Sequence, residues 1–290
     1  MQIKSEKSRY HRFALYYEFA PDKVEFCRIL KDSFGWQRFS FDSSDGQKRW
    51  VFSETLFVKL LVDRFPETQV EPAVMNLWQH EDGVIADGKK KDETLEIVRE
   101  KKNTDLKIKG IKGDLYPYQK VGVEFLLASG GRAIIADPPG LGKTVQALGY
   151  AQHTSLPRSL IVAPASVKSA WVNEIKKWTS ASYVEIDAKT DLAKISADVR
   201  YWIINYDLLK RHLDMLLKTR FDLLVADECH YVKNHTAQRT KAIRALSKNI
   251  PHIVLLSGTP LLSRPVEMFT LLNMIDPQTW NNWYAFTRQY

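Results

Sequence analysis

Five apolar runs, each continuous rather than alternating, constrain this chain more than any other feature: RAIIAD (132–137), SLIVAP (159–164), YWIINY (201–206), FDLLVADE (221–228) and HIVLLSGT (252–259). A strand with one wet face alternates apolar and polar residues, so an unbroken apolar strand needs cover on both faces. Amphipathic stretches at 116–128, 143–151, 166–178, 207–217, 236–248 and 265–275 predict helices that supply that cover, and Gly130-Gly131 stops the first of them. Strands alternating with helices imply a parallel sheet, because parallel neighbours need a long crossover. The expected fold class is α/β, a parallel sheet with helices on both faces.

Ahead of Asp114 the pattern changes. An alternating run FALYYEF (13–19) is followed by a helical stretch at 21–34 and by strand-like WQRFSFD (36–42) and QKRWVFS (47–53). With a helical stretch at 54–64 and a short run at 68–74, these predict a small α+β domain over residues 1–85, and Asp45-Gly46 marks a hairpin turn within it. Residues 86–112, with Lys89-Lys90-Lys91 and few aromatics, read as a charged linker with room for one short helix, which leaves 113–290 for the sheet domain. No internal repeat is visible.

Charge is unevenly spread within the net +8: 12 basic against 13 acidic side chains in residues 1–85, 9 against 6 in 86–112, and 21 against 15 in 113–290. A positive excess over the linker and sheet domain suits a polyanionic partner without demanding one. Cys27 and Cys229 have neither metal-ligand spacing nor enough partners for a disulfide framework, which fits a reducing compartment. The polar start MQIKSEKSRY and the lack of an apolar run near the roughly 20 residues of a membrane span predict a soluble, intracellular protein, in the cytoplasm of a prokaryote or infected host or in a nucleus.

Two segments carry chemistry. ADPPGLGKT (136–144) follows a buried strand and opens a helix, the context in which a glycine-rich string cradles phosphates. Gly140 and Gly142 let the backbone approach a polyphosphate, and the N–H groups of residues 140–144 point at it from a helix N-terminus. Lys143 is expected to reach the β- and γ-phosphates, and the Thr144 hydroxyl to hold Mg²⁺. Asp137 stands where the standard loop begins with Gly, and Pro138-Pro139 remove two donors ahead of the cradle. VADECH (225–230) ends another buried strand in paired carboxylates; Asp227 is expected to bind Mg²⁺ and Glu228 to act as general base on the attacking water. Taken alone, such a pair also serves as surface charge or helix cap.

The order LYPYQ (115–119), GGRAIIADPPGLGKT (130–144), LIVAPASVKSAW (160–171), INYD (204–207), DECH (227–230) and LSGTP (256–260) resembles helicase superfamily two. YQ-x-x-GV, GLGKT-x-Q and SGTP-x-x-x-x-P-x-E together are similar to the Swi/Snf-related ATPases, which are DNA translocases. The GGR lead-in and LSGTPLLSRPVEMF look most similar to the HARP-type annealing helicases, which rewind DNA, remodel forks and carry a small domain ahead of the motor. The resemblance implies a RecA-like first lobe with ATP on Gln119, Gly140, Leu141, Gly142, Lys143 and Thr144, where Gln119 reads the adenine edge. Ser257 and Thr259 then couple the nucleotide site to DNA, with His230 between the two. Ser166 and Asn205 become candidates for DNA phosphate contacts. In the small domain Arg38, Lys48, Arg49 and Trp50 are candidates for touching DNA; the alternative is a solvated basic strand and a core-anchoring Trp. Trp171 reads as core rather than base-stacking. Where the family has Asp-Glu-Met before GLGKT, this chain has Asp137-Pro138-Pro139.

The same resemblance implies an ATP-dependent motor on duplex or forked DNA, active in DNA repair and fork remodelling. An RNA helicase is one alternative, and a non-enzymatic, ATP-gated DNA-binding module is another if the natural chain ends near Tyr290. Motors of this kind bind ATP between two RecA-like lobes, and the sequence ends about 30 residues after its SGTP segment. A second lobe is therefore expected in the full-length protein, and weak hydrolysis from these 290 residues alone.

Overall fold

The computed structural model describes residues 1–5, 13–16, 20–34, 39–43, 49–52, 55–234, 236–259 and 267–289, apart from the side chains of 55, 81–91, 285, 288 and 289. Contacts divide the chain into two compact units, Met1–Lys90 and Lys91–Tyr290.

The first unit has strands β1 (Gln2–Ser5), β2 (Phe13–Tyr16), β3 (Phe39–Asp42), β4 (Arg49–Phe52) and β5 (Gln69–Val70), with helices α1 (Pro21–Phe34) and α2 (Thr55–Arg64). The sheet order is β3-β4-β2-β1-β5, antiparallel except for the β1–β5 pair. β1 carries no alternation that the sequence would reveal; its Ile3 alone is buried. An aromatic cluster fills the core, with Phe39 stacked at 5.4 Å on Phe52 and at 5.5 Å on Trp50. The Asp45-Gly46 turn, Arg38 and Lys48 lie outside the described residues.

Helix α3 runs unbroken over Pro72–Glu100, with Pro at its first position where the missing N–H costs nothing. It spans much of the stretch whose charge suggested a linker with a short helix. Lys and Glu are good helix formers, so a charged run sustains a helix that no apolar stripe announces.

The second unit is built on β6 (Arg132–Ile135), β7 (Ser159–Ala163), β8 (Tyr183–Glu185), β9 (Tyr201–Asn205), β10 (Leu223–Ala226) and β11 (His252–Leu256). They form one sheet in the order β6-β11-β10-β7-β9-β8, and every ladder is parallel. Five strands are the expected apolar runs. The sixth, β8, has three residues at the sheet edge and too little apolar length to be seen in sequence. Helices α4 (Pro117–Ala128), α5 (Lys143–His153), α6 (Lys168–Trp178), α7 (Leu209–Lys218), α8 (Gln238–Ser247), α9 (Met268–Ile275) and α10 (Trp283–Gln289) complete the unit; α10 has no counterpart among the helices that the amphipathic stretches predict.

Side chains of one strand point alternately to two separate cores. Leu160 and Val162 of β7 join Trp202, Ile204, Leu224, Ile253 and Leu255 on one face. Ile161 and Ala163 join Ile203, Val225, Val254 and Leu256 on the other, with α4, α5 and α6 above them. Each fully buried Ile, Leu or Val contributes about 1.5–3 kcal/mol, and covering both faces is what makes the runs continuous. β6 is the exception that confirms the cause: it lies at an edge, and its burial alternates.

The GGR lead-in has a structural reason. Gly130 and Gly131 adopt φ of 69° and 76°, and a Cβ on Gly131 would stand 2.0 Å from the Tyr150 hydroxyl. Arg132 then caps α9, donating to the carbonyls of Met274 and Ile275.

Candidate functional site

Three loops leave the carboxyl ends of neighbouring strands: the phosphate loop after β6, the Ser257–Thr259 turn after β11 and the carboxylate turn after β10. In parallel α/β sheets this is the edge where ligands bind. β11 lies between the other two, so the proposed coupling segment stands between loop and carboxylates in space, 30 residues after the second of them in sequence.

The loop owes its shape to two glycines, Gly140 at φ 86° and Gly142 at φ 78°, both in the left-handed region. Gly142 caps α5, and the first-turn N–H groups behind it have no acceptor within the helix. A side chain there would be strained at that φ, and its Cβ would meet Gln119 Nε2 at 2.4 Å and displace that amide. Lys143 folds over the loop and donates from Nζ to the carbonyls of Asp137 at 2.8 Å and Pro138 at 3.3 Å. Asp137, the departure from the usual first Gly, is held by the fully buried Gln146, whose Nε2 donates to Oδ2 at 2.7 Å. Leu141 is exposed on the outer curve, and Thr144 is partly buried in the first turn of α5.

Gln119, the expected adenine reader, sits at the start of α4 against the phosphate loop. It is buried; its Oε1 accepts from Tyr116 N at 3.1 Å, and its Nε2 donates to Leu141 O at 3.2 Å and lies 3.5 Å from Tyr118 Oη. One amide hydrogen thus has a close protein partner and the second only a long one. Gln119 ties the start of α4 to the phosphate loop.

The carboxylate turn is strained. Glu228 has φ 49° and ψ 53°, left-handed for a residue with a side chain, a conformation that clusters at functional sites. Asp227 is fastened on three atoms: Trp171 Nε1 donates to Oδ2 at 2.8 Å, Glu228 N donates to Oδ1 at 3.0 Å, and Tyr206 Oη donates to the Asp227 carbonyl at 2.6 Å. Burial pushes the Asp227 carboxyl up from its ordinary range, the Trp171 hydrogen bond pulls it down, Glu228 beside it adds to the rise, and the Lys143 charge opposes it. The strand order, with β11 alone between β6 and β10, is what sets the phosphate loop and the carboxylates side by side. Glu228 is partly exposed, with Oε2 3.2 Å from His230 Nδ1 but without hydrogen-bond alignment. Burial pushes the Cys229 thiol up to about 12, so it stays protonated.

Ser257 is fully buried and Thr259 exposed; the Thr259 amide donates to Ser257 Oγ at 3.2 Å. Gly258 between them lies against the loop, where a Cβ would meet Pro139 Cγ and Cδ at 2.9 Å. The unusual proline is therefore the contact surface between the phosphate loop and the Ser257–Thr259 turn. His230 lies beside Tyr231 with its ring tilted by 44°, and Tyr231 stacks in turn on Tyr206.

Of the nucleic-acid candidates, Ser166 is exposed in the turn before α6. The Asn205 side chain accepts from Leu208 N at 3.2 Å, capping the turn after β9. Arg49 is a correction to the small-domain reading: it is 7% exposed and ion-paired to Asp42 at 3.1 Å, a guanidinium drawn into the fold because its strand is buried along its whole length. Trp50 is core. Sequence reasoning missed the partners of Trp171 and Tyr206 and the role of Gln146; the one available signal was that a buried Trp or Tyr must find an acceptor.

Beside the loop lies a cavity of about 510 Å³ whose walls include Arg99, Lys101, Tyr118, Phe125, Leu141 and Gln146. That is within the range of small-molecule sites. A smaller hollow of about 260 Å³, at Leu216–Phe221 and Leu246–Ile250, lies at the opposite ends of the strands. Among the described residues no group of three or more His, Cys, Asp or Glu is arranged to hold a metal. The donors at the site, one carboxylate and one hydroxyl, are hard oxygens in the small number Mg²⁺ takes when water and phosphate complete its shell. No described helix is long and apolar enough to cross a membrane.

The SNF2-related domain family matches residues 118–290. A Caenorhabditis elegans homolog of the SWI/SNF-related matrix-associated actin-dependent regulator of chromatin subfamily A-like protein 1 is 39% identical over 180 residues, 61% of this chain and 26% of that protein. The corresponding Bos taurus protein is 30% identical over 249 residues, 84% of this chain and 26% of its own length. Human DNA annealing helicase and endonuclease ZRANB3 is 34% identical over 192 residues, 62% of this chain and 17% of that protein. The chain thus spans about a quarter or less of these relatives. Two solved structures of a Sulfolobus solfataricus SWI2/SNF2 ATPase core share the fold. One, in complex with dsDNA, has a TM-score of 0.59 and 24% identity, over 64% of this chain and 41% of that one; the other has 0.57 and 25%, over 66% and 40%.

Proposed function

Because this chain belongs to the SNF2-related domain family, we propose that it is the ATP-binding lobe of a motor that hydrolyses ATP to move on or reanneal duplex or forked DNA, completed by a second RecA-like lobe. One observation carries the reading. Phosphate loop, coupling turn and paired carboxylates leave adjacent strands, with Gly258 pressed on Pro139 and the Lys143 charge felt at Asp227.

In this reading the loop amides and Lys143 hold the polyphosphate. Thr144 and Asp227 would hold Mg²⁺, which when bound would supply neutralising charge to the transferring phosphoryl group. Glu228 takes the proton of the attacking water. The cavity beside Tyr118 takes the nucleoside, and Gln119 next to Tyr118 is the candidate reader of the base edge. Movement of the Ser257–Thr259 turn relays phosphate state toward the DNA track, where Ser166 is the candidate contact. Residues 1–85 act as the substrate-positioning domain, 86–112 as the connection and 113–290 as the lobe, in an intracellular protein.

Lys143→Ala is the direct test. Its ammonium makes a charge-assisted contact worth about 1.5–3 kcal/mol, so affinity for a fluorescent ATP analogue is expected to fall at least about tenfold. Equal affinity would remove Lys143 from the site. Comparing ATPase stimulation by duplex DNA, forked DNA and structured RNA in the two-lobed motor decides the nucleic acid.

A further inference from the structure

Trp171 and Asp227 come from different elements, the first turn of α6 and the end of β10. The indole is 1% exposed within the core under α5 and α6, and its Nε1–H donates to Asp227 Oδ2 at 2.8 Å. The other oxygen, Oδ1, accepts the backbone N–H of Glu228 at 3.0 Å, and the Asp227 main chain is pinned by Tyr206. A carboxylate has about four lone-pair sites, so two remain for a cation or its waters. Two directional donors on opposite oxygens prevent the group from rotating and fix which lone pairs those are.

A core-filling role alone does not require this bond. Leu, Met or Phe fills volume without a polar atom, whereas a buried indole N–H must be matched to an acceptor, and here the acceptor is one oxygen of the carboxylate at the head of the turn. We infer that Trp171 is a positioning residue for the metal: its indole N–H orients Asp227, so that Mg²⁺ affinity depends on a side chain of α6 rather than on the carboxylate turn alone. This rests on the reading of Asp227 as the metal-binding carboxylate. Removing the partner that orients a metal ligand costs about 10–100-fold in metal affinity.

The experiment uses the 290-residue chain and a fluorescent ATP analogue, titrated in EDTA and across a Mg²⁺ series, with Mn²⁺ binding followed by electron paramagnetic resonance. Asp227→Asn serves as reference. Trp171→Phe removes the N–H and part of the ring. Replacing Trp171 by β-(3-benzothienyl)alanine keeps the bicyclic shape and exchanges only the N–H for sulfur, so a fold defect in the Phe variant does not decide the matter. Both Trp171 variants are expected to keep the EDTA affinity within about twofold. They are also expected to raise the half-effective Mg²⁺ concentration, and the Mn²⁺ dissociation constant, about tenfold or more. A benzothienyl variant with the parent's metal response overturns the inference while Asp227 keeps its role, provided Asp227→Asn has lost that response. Should Asp227→Asn respond to Mg²⁺ like the parent, the metal reading of Asp227 falls and this inference with it.

Discussion

Glu228 sits in a left-handed conformation that costs a residue with a Cβ about 1–2 kcal/mol, and the fold holds it there at the mouth of the carboxylate turn. Strain retained at a partly exposed carboxylate is consistent with a group placed for chemistry rather than for stability. Glu228→Gln keeps the shape and loses the base, so the two-lobed motor is expected to bind ATP within about twofold of the parent while turnover falls about 100-fold or more. Steady-state phosphate release measures this, and substantial turnover would assign the water to another residue. Glu228→Gly, which removes the Cβ from the strained position, is expected to be at least as stable as the parent in urea denaturation. Lys143, Asp227 and Glu228 were legible as candidates, the first because glycine-lysine-threonine after a strand has little other use and the other two because a buried strand ends in paired carboxylates. The engagement of the Gln119 amide was not, because its partner Leu141 lies 22 residues away and meets it only in the folded chain.

Among the elements, α4 and α5 show how one glycine serves two segments. A Cβ on Gly122, in the middle of α4, would stand 1.8 Å from Gln146 Oε1 and 2.7 Å from its Cδ. Helix propensity alone favours Gly122→Ala by about 1 kcal/mol. The clash opposes this, because Gln146 is fully buried and its amide holds Asp137 at the start of the phosphate loop. Expelling that amide forfeits a buried hydrogen bond and strands Asp137, at about 1–3 kcal/mol. Gly122→Ala is therefore expected to destabilise the chain and weaken nucleotide binding, and adding Gln146→Ala should recover part of the stability but not the binding. A thermal-unfolding double-mutant cycle reads the coupling; simple stabilisation by Gly122→Ala would refute the packing. The positions of α4 to α9 were legible within a few residues from apolar spacing. That α4 faces α5 closely enough to demand a glycine was not.

For the chain in its entirety, an excess of basic residues over 86–290 and the proposed phosphate contacts lead to a binding mode governed by counterion release. DNA affinity of the 290-residue chain is expected to be weak in sequence preference and to fall steeply with salt, as measured for forked and linear duplexes across a salt series. Deleting residues 1–75 is expected to lower the fork-to-linear ratio, and an unchanged ratio would deny the small domain its positioning role. An arginine supplied by a second lobe contributes about 10³–10⁵ in rate to related phosphoryl transfers. These 290 residues alone are thus expected to bind nucleotide and turn it over slowly, whereas DNA-stimulated release near one per second would contradict the two-lobe requirement.

Residue pattern was enough to dictate the parallel sheet, its covering helices and the loops at the strand ends, because burial on both faces and left-handed glycine positions leave a local imprint on residue type. It did not dictate the strand order that puts Ser257–Thr259 between loop and carboxylates, the seating of Gly258 on Pro139, or the grip of Trp171 on Asp227. Nor did it reveal that Arg49 is buried on Asp42 rather than open to a phosphate. These depend on which distant segments meet. A side chain's hydrogen-bond partner is chosen by proximity in the folded chain, and no local pattern of residues encodes it.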